Sequence, residues 1–393
     1  MGEPKLRFKA DDGSDFPNWE EKTLGELCEP LTYGMNAAAT KFDGENRYIR
    51  ITDIDDETHA FLSNDVVSPS GELDDKYLVK KGDILLARTG ASTGKSYLYH
   101  PKDGKLFYAG FLIKAHVLPS SDDYFIYSQT LTDRYGKWVK TTSMRSGQPG
   151  INANEYASYS FSVPSLPEQR KIADLLSAID DVIAAQEAEV AAWEKRKKGV
   201  MQKLFSQEVR FKADDGSDFP DWEEKTLGDI CMYERQRSEG ANFVGTENML
   251  KDFGGVTFDN SNADDSGTLY HPGDTLMSNI RPYLKKAWLA DRKGTCSTDV
   301  LVFHPTSVEP GYLYWLIASD AFVRYVMSAA KGSKMPRGDK KHIMEMPLLL
   351  PNKDEQRKID DCLSSLNDVI IKAKNELAKW QELKKGLLQQ MFV

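Results

Sequence analysis

Two long segments of the chain share one alternation of apolar and polar positions. Residues 168–205 read EQRKIADLLSAIDDVIAAQEAEVAAWEKRKKGVMQKLF, and residues 355–392 read EQRKIDDCLSSLNDVIIKAKNELAKWQELKKGLLQQMF. Apolar residues recur in both at steps of three and four, which predicts two long amphipathic helices. On each helix these apolar residues form a narrow seam along one side. A narrow apolar seam favours pairing with another helix, and we predict that the two helices pair with each other. The seam positions are Ile172, Leu175, Ile179, Val182, Val190, Trp193, Val200 and Leu204 in the first helix, and Ile359, Cys362, Leu366, Val369, Leu377, Trp380, Leu387 and Met391 in the second.

A second duplication lies upstream of each helix. Residues 7–28 and 210–231 differ at three positions only, Asn18/Asp221, Glu26/Asp229 and Leu27/Ile230. The residues between each of these leading segments and the following helix diverge. The chain is therefore an internal repeat with a fixed frame and two variable inserts.

The inserts carry mixed patterns. Short β-like runs lie at 47–55 and 81–90 in the first insert and at 241–250 and 272–282 in the second. Aromatic stretches with helical spacing follow at 121–139 and 309–327, so each insert is predicted to be an α+β domain.

The predicted organisation is domain, helix, domain, helix, with segments 1–165, 166–206, 207–350 and 351–393. In this order the helices form an antiparallel coiled coil only if the second unit is turned end over end, which gives an internal pseudo-twofold axis. The fold class expected is thus α+β: two pseudo-repeated domains joined by two long paired helices. The N-terminal segment is expected to dock against the C-terminal end.

Composition places the chain among ordinary globular proteins. Of its 393 residues 40% are apolar and 28% charged. The N-terminus lacks a signal-peptide pattern and no apolar run is long enough to span a bilayer, so a cytoplasmic protein is expected. The four cysteines form no CxxC pair and the six histidines no helical pair, which predicts neither disulfides nor a metal site.

The net charge of −9 argues against nucleic-acid binding when it is considered alone. Both inserts are nevertheless close to neutral, and each contains a loop rich in hydrogen-bond donors. Arginine and asparagine suit base edges, while serine, threonine and lysine suit phosphates, so we predict DNA contacts at both loops. The residues are Arg88, Thr89, Ser92, Thr93 and Lys95 in the first insert and Asn279, Arg281, Tyr283 and Lys285 in the second.

Each insert also has a basic loop containing glycine and proline just before its long helix. Such loops suit a nucleic-acid backbone. The predicted contacts are Lys140, Arg145 and Gln148 in the first loop and Lys334 and Arg337 in the second.

Catalytic patterns are weak in this sequence. The stretch from Gly90 to Ser96 is one residue short of a phosphate-binding GxxxxGK[ST] loop, so a nucleotide hydrolase ranks last among the alternatives. No nucleophile elbow, paired catalytic carboxylates or amino-methyltransferase tetrapeptide is apparent, and we predict a non-enzymatic protein. The main alternative to a DNA reader is a coiled-coil adaptor with two protein-binding domains.

The paired EQRKI helix starts, the two WEEKTLG segments beginning at Trp19 and Trp222, and the KKG near each helix end resemble the specificity subunit of type I restriction–modification systems. The resemblance covers essentially the whole chain. It implies that each variable domain reads one half of an asymmetric bipartite DNA target, while the helices set the spacer and dock the modification subunits.

The same resemblance implies a set of partners. These are double-stranded DNA, modification subunits, expected to number two, and restriction subunits, with no membrane. S-adenosylmethionine, ATP and Mg are expected on the partner subunits, and no cofactor on this chain.

Overall fold

The computed structural model describes residues 4–144, 147–258 and 266–392. The chain forms two compact units, unit 1 from residues 1–187 and 375–393 and unit 2 from residues 188–374. In the described residues the helices are α1 (Leu24–Leu27), α2 (Asp123–Gln129), α3 (Asp133–Thr142), α4 (Ala153–Ala157), α5 (Leu166–Phe205), α6 (Leu227–Ile230), α7 (Pro310–Ile317), α8 (Asp320–Ser328), α9 (Lys340–Met344) and α10 (Lys353–Met391).

The described strands are short and fall into several small sheets. They are β1 (Glu20–Thr23), β2 (Thr32–Tyr33), β3 (Ala39–Lys41), β4 (Arg47–Ile49), β5 (Val67–Pro69), β6 (Asp83–Ala87), β7 (Ser96–Leu98), β8 (Leu106–Tyr108), β9 (Leu112–His116), β10 (Ser160–Val163), β11 (Glu223–Thr226), β12 (Cys231–Tyr233), β13 (Arg237–Glu239), β14 (Ser266–Tyr270), β15 (Thr275–Ser278), β16 (Ala287–Leu289), β17 (Gly294–Cys296), β18 (Val300–Pro305) and β19 (Pro347–Leu350).

Unit 1 is built around an antiparallel sheet of order β2-β9-β6-β7. Strand β6 is buried on both faces, because successive side chains of a strand point to opposite sides. Ile84 and Leu86 pack in the core that contains Phe125 of α2. Leu85 and Ala87 pack in a second core on the other side. The smaller sheets of unit 1 are β1-β10, β3-β5 and the parallel pair β4-β8.

Unit 2 repeats this plan. Its main sheet has the order β12-β18-β15-β16, its β11-β19 pair matches β1-β10, and a further sheet has the order β13-β14-β17. Leu276 and Met277 of β15 again enter two different cores. The α+β class and the repeat are confirmed, and both aromatic stretches form helices as predicted.

The strand predicted at 241–250 is wrong. Only isolated bridges occur there, at Val244 and Met249. The backbone between them turns, because the Asn248 side chain accepts the amide of Gly245 at 2.8 Å. Asparagine stabilises turns in this way, and local hydrogen bonding has replaced a ladder.

The long helices match the predicted ranges closely and pair antiparallel in each unit. In unit 1, Asp180 of α5 forms a salt bridge with Lys384 of α10 at 2.6 Å. In unit 2, Glu194 of α5 forms a salt bridge with Lys374 of α10 at 2.6 Å. Lys197 of α5 donates a hydrogen bond to the side-chain oxygen of Asn367 of α10 at 2.9 Å. Residue numbers in these pairs rise along α5 as they fall along α10, so the two helices run antiparallel. Each helix contributes one half to each unit, and the four-segment division stays a prediction.

The helices also build the cores of the units. In unit 1, Ile172 and Leu176 of α5 share a core with Leu388 and Met391 of α10. In unit 2, Met201 and Leu204 of α5 share a core with Ile359 and Leu363 of α10. The predicted seam is wrong at one position, since Val369 is 39% exposed.

The repeated EQRK sequence fastens each helix start to its leading segment. Arg7 donates to both carboxylate oxygens of buried Glu168 at 3.1 and 2.9 Å. Arg210 does the same to buried Glu355 at 3.1 and 2.8 Å. These charge-assisted bidentate contacts give a physical reason for the same arginine and glutamate in both repeats.

The glutamine of the same sequence joins three pieces of chain. Gln169 accepts the amide of Asp122, ahead of α2, at 2.9 Å and donates to the carbonyl of Pro164 at 2.9 Å. Gln356 makes the equivalent bonds in unit 2 with Glu309 at 2.9 Å and Pro351 at 2.7 Å. The frame therefore orients each variable insert on its helix.

The predicted docking of the N-terminal segment is confirmed. The amide of Leu6 donates to the carbonyl of Gln390 at 3.1 Å within unit 1. The equivalent contact in unit 2, from Val209 to Lys203 at 3.3 Å, lies where the end of α5 runs directly into the second leading segment. A noncovalent contact in one repeat thus matches a covalent connection in the other.

Candidate nucleic-acid interface

The two loops predicted in unit 1 lie side by side. The amide of Gly90 donates to the carbonyl of Pro149 at 3.0 Å, and the amide of Ile151 to the carbonyl of Arg88 at 2.9 Å. Residues 88–95 and 147–151 thereby form one surface, which we name tip 1. The sequence placed both loops separately, and the structure brings them together.

Unit 2 contains the same arrangement in residues 279–286 and 331–338, named tip 2. The amide of Arg281 donates to the carbonyl of Pro336 at 2.8 Å, and Ile280 bridges Arg337. Gly90 and Arg281 thus occupy equivalent places, as do Pro149 and Pro336. The two tips share a backbone framework but present different side chains.

Two buried tyrosines hold tip 1 in place through hydrogen bonds to its backbone. Tyr156 donates to the carbonyl of Ala87 at 2.6 Å and accepts the amide of Gly94 at 3.1 Å. Tyr135 donates to the carbonyl of Gly94 at 2.9 Å. Gly94 has a φ of +92°, and a Cβ there would lie 2.6 Å from Val139, so only glycine fits.

Tip 1 is not a nucleotide-binding loop. A phosphate-cradling loop of that kind runs from a strand into a helix, whereas this turn connects strands β6 and β7. Lys95 donates to the carbonyl of Ile54 at 2.9 Å and pairs with Asp56. Its side chain is 10% exposed, so a DNA contact would require these bonds to break. The low rank given to a nucleotide hydrolase fits this geometry.

The remaining predicted residues of tip 1 lie in varied surroundings. The Arg88 guanidinium is 4.8 Å from the ring centroid of Tyr33, a cation–π contact that holds it in place. Thr89 bridges Gly150, and Thr93 donates to the carbonyl of Gly90 at 2.8 Å. Ser92 is half-buried, Gln148 is exposed, and Arg145 lies outside the described residues. The prediction that Lys140 lies in a loop is wrong, since it is an exposed residue of helix α3 and not part of tip 1.

Tip 2 carries acids beside its cations. Arg337 pairs with Asp299 at 3.0 Å, and Lys285 pairs with Asp320 at 2.7 Å. Tyr283, Arg281 and Lys334 are exposed. Asn279 is buried, and its side-chain oxygen has no hydrogen-bond partner among the described residues, so reading a base would require it to turn outward.

Arg281 and Lys285 adopt left-handed backbone conformations, with φ of 50° and 53°. Tip 1 has Gly90 and Gly94 at the equivalent positions, with φ of 77° and 92°. Glycine adopts this conformation without cost, whereas other L-residues are strained by it. Tip 2 therefore keeps two large cationic side chains at positions where glycine would be more stable.

Asp320 connects tip 2 to a long helix within unit 2. It accepts from Lys285 of the tip at 2.7 Å and from Lys198 of α5 at 2.8 Å. Hydrogen bonds from the two lysines lower the pKa of Asp320 to about 2. Tip 2 is thus tied electrostatically to helix α5.

This ion-pair cluster predicts a pH-dependent contribution to stability. A carboxylate whose folded pKa is depressed stabilises the fold above its unfolded pKa, and the effect is lost as the pH falls toward the folded value. We expect Asp320→Asn to lower the free energy of unfolding by about 1 to 2 kcal/mol at neutral pH, and the difference to shrink below about pH 4. Urea unfolding across this range measures it, and a pH-independent difference would contradict the assignment.

Sequence reasoning missed two exposed apolar side chains at or beside the tips. Phe111 is 62% exposed, and its carbonyl accepts the amide of Arg88 at 3.0 Å. Met335 of tip 2 is 48% exposed. Phe111 lies outside the predicted loops, and Met335 lies between the predicted contacts Lys334 and Arg337 but is not itself a hydrogen-bond donor. Only a search for apolar residues in turns would have found them.

Other chemistry is limited in the described part of the chain. It contains no group of three or more His, Cys, Asp or Glu residues placed to hold a metal ion. Burial raises the pKa of Cys28, Cys231 and Cys296 to about 12, which leaves these thiols protonated and unreactive. None of the helices described is both long and apolar enough to cross a bilayer.

The repeated units match a known family. Its model, described as the type I restriction modification DNA specificity domain, matches residues 17–192 and 220–380, which together exceed half of the chain. The chain belongs to this family. A specificity-family relative, the type I restriction enzyme MjaVIII specificity subunit of Methanocaldococcus jannaschii, is 22% identical over 420 residues, covering 98% of this chain and 95% of that protein.

Two solved structures show that the specificity fold extends over nearly the full length. The S subunit of a type I restriction-modification system from M. genitalium has a TM-score of 0.61 and 17% identity, covering 100% of this chain and 99% of that one. A structure from work on complex assembly and conformational transition of the type I system has a TM-score of 0.55 and 18% identity, covering 95% and 96%. At these identities the likeness establishes the fold.

Membership of the specificity family settles the broad function. The chain is a specificity subunit of a type I restriction–modification system, and DNA target recognition is the role of its family. Such subunits are non-catalytic. Membership also implies DNA and methyltransferase and restriction subunits as partners.

Proposed function

We propose that unit 1 and unit 2 each read one half of an asymmetric, bipartite DNA sequence through tip 1 and tip 2. The observation that carries this proposal is the equivalence of the two tips. Both are held by the same backbone hydrogen bonds, from Gly90 to Pro149 and from Arg281 to Pro336, while their outward side chains differ. One framework with two sets of side chains suits two different half-sites.

We further propose that the paired helices set the unread gap between the half-sites. Helix α5 has 40 residues, so it is about 60 Å long at about 1.5 Å per residue. A DNA turn is about 34 Å, which makes the helix long enough to bridge recognition events more than one turn apart.

The helices are also the proposed docking surface for two modification subunits. Exposed apolar side chains occur on α10 at Val369 and Ile371 in unit 2 and at Leu383 in unit 1. Apolar groups exposed on a long helix suit burial against helices of a partner.

We assign the cofactors S-adenosylmethionine, ATP and Mg to the partner subunits and none to this chain. This assignment rests on the family resemblance. We place the complex in the cytoplasm, where its DNA target is accessible. Calorimetric titration of the purified chain with S-adenosylmethionine tests the cofactor assignment, since measurable binding would contradict it.

Exchanging the variable inserts tests the proposed function. In the hybrid, residues 29–163 are copied in place of residues 232–350, so both repeats keep their own leading segments and helices. The target bound by the hybrid with its modification subunits should contain the first half-site twice and lack the second. A folded complex that keeps the original target, or that loses all sequence preference, would contradict the proposal.

The strained Arg281 of tip 2 leads to a more local prediction. Replacing Arg281 with glycine relieves the left-handed strain and should raise the free energy of unfolding by about 1 kcal/mol. The loss of the guanidinium should nevertheless weaken binding through the second half-site about tenfold or more. Urea unfolding and fluorescence-polarisation binding measure the two effects.

The matched control is Gln207→Gly. Gln207 has a φ of 60° and lies just beyond α5, away from tip 2 in the sequence. This variant should gain stability without a change in DNA binding. If Arg281→Gly binds its target as tightly as the control does, Arg281 has no part in recognition.

A further inference from the structure

Phe111 is an apolar side chain displayed at the edge of tip 1. It lies in the turn between β8 and β9, and its side chain is 62% exposed. Its carbonyl accepts the amide of Arg88 at 3.0 Å. The exposed ring and the Arg88 side chain therefore project from hydrogen-bonded backbone positions.

The turn that carries Phe111 is tied down on both sides. The amide of Gly110 donates to the carbonyl of Met35 at 2.8 Å, and the amide of Leu112 donates to the carbonyl of Ala109 at 2.8 Å. Leu112 is fully buried. The turn therefore fixes the backbone of Phe111, so that only the rotamers of its exposed side chain remain to be ordered on contact with a partner.

Arg88 beside it is preorganised. Its guanidinium lies 4.8 Å from the Tyr33 ring, and the Tyr33 hydroxyl accepts the amide of Ala153 at 3.1 Å. Tip 1 thus presents a held cation next to an apolar ring that projects from a fixed backbone. In a major groove the first suits a guanine edge, and the second suits the methyl group of thymine.

Tip 2 has no such ring at the equivalent place. There the amide of Asn279 donates to the carbonyl of Asp299 at 2.8 Å, so Asp299 takes the position of Phe111. Asp299 holds Arg337 at 3.0 Å. An apolar side chain at this particular place therefore occurs in unit 1 and not in unit 2, and it belongs to the part of the chain that varies between repeats, as a specificity determinant should.

We propose that Phe111 is a specificity-determining residue of unit 1 whose ring contacts the 5-methyl group of one thymine in the first half-site. This proposal rests on the proposed function, since it requires unit 1 to read DNA. The methyl group is the apolar feature of the thymine edge in the major groove, and cytosine and adenine lack it. Excluding water from one methyl group is a small but sequence-dependent gain.

Thymine-to-uracil exchange removes that methyl group and leaves every base-pairing hydrogen bond unchanged. The complete complex of this chain with its modification subunits is titrated with duplexes in which each thymine of the first half-site is replaced in turn. At one position wild type should lose about three- to fivefold in affinity, the effect of one buried methyl group. Phe111→Ala should bind the thymine duplex as weakly as wild type binds the uracil duplex, with no further loss on exchange.

Met232→Ala is the matched control, because Met232 is an apolar side chain 50% exposed on β12 of unit 2. It should respond to uracil as wild type does. A first half-site without thymine, or equal uracil responses in wild type and Phe111→Ala, would overturn the proposal while leaving two-part DNA recognition intact. A complex that binds its target no better than scrambled DNA would instead overturn the proposed function itself.

Discussion

Lengthening both long helices by one turn will widen the gap in the DNA target by one or two base pairs without changing either half-site. The insertions duplicate residues 184–187 in α5 and 379–382 in α10, positions that face each other given the Asp180–Lys384 and Glu194–Lys374 pairs. Four residues add about 6 Å at about 1.5 Å per residue. The effect is large because the wild-type gap should no longer be bound tightly.

Binding to a panel of duplexes with the gap varied measures this shift. A control chain carries four extra residues after Arg292, in the exposed turn between β16 and β17, and should keep the original gap. A folded complex with both helices lengthened and the gap unchanged would show that the helices do not set the spacing.

Replacing Arg7 with alanine should lower the free energy of unfolding by about 3 kcal/mol or more. The substitution leaves the fully buried carboxylate of Glu168 without its bidentate partner, and an uncompensated buried charge is strongly destabilising. The Arg7 side chain is only 23% exposed, so solvent screening of the pair is limited. Urea unfolding of the purified chain measures the loss.

Lys9→Ala is the matched control in the same leading segment. Its pair with Asp15 joins side chains that are 66% and 81% exposed, and an exposed pair contributes at most about 1 kcal/mol. Adding Glu168→Gln to Arg7→Ala should recover part of the stability, because it removes the buried charge. Equal effects of Arg7→Ala and Lys9→Ala would contradict the fastening role of the EQRK glutamate.

The frame was predictable because its signals are local or duplicated. Periodicity placed both long helices within two residues of their observed starts, at Leu166 and Lys353. Identity between the leading segments defined the repeat. Where only a short pattern was available, at 241–250, a single asparagine side chain turned the backbone and the predicted strand did not form.

The tips were harder to predict because their properties depend on residues distant in sequence. Lys95 looked like a phosphate ligand, yet Asp56 and the carbonyl of Ile54 surround its ammonium. The bond from Gly90 to Pro149 joined two loops that the sequence could only treat separately. Phe111 belongs to no motif, and its exposure is known only from the folded turn.

Single-molecule methylation sequencing tests the central claim most directly. The genome of a host that carries this chain with its modification and restriction subunits is compared with that of a strain lacking this chain alone, with expression of the modification subunit verified in both. The account predicts adenine methylation at one asymmetric split motif with a fixed gap, lost in the strain without the chain. Methylation that persists without the chain, or a motif that is continuous rather than split, would contradict it.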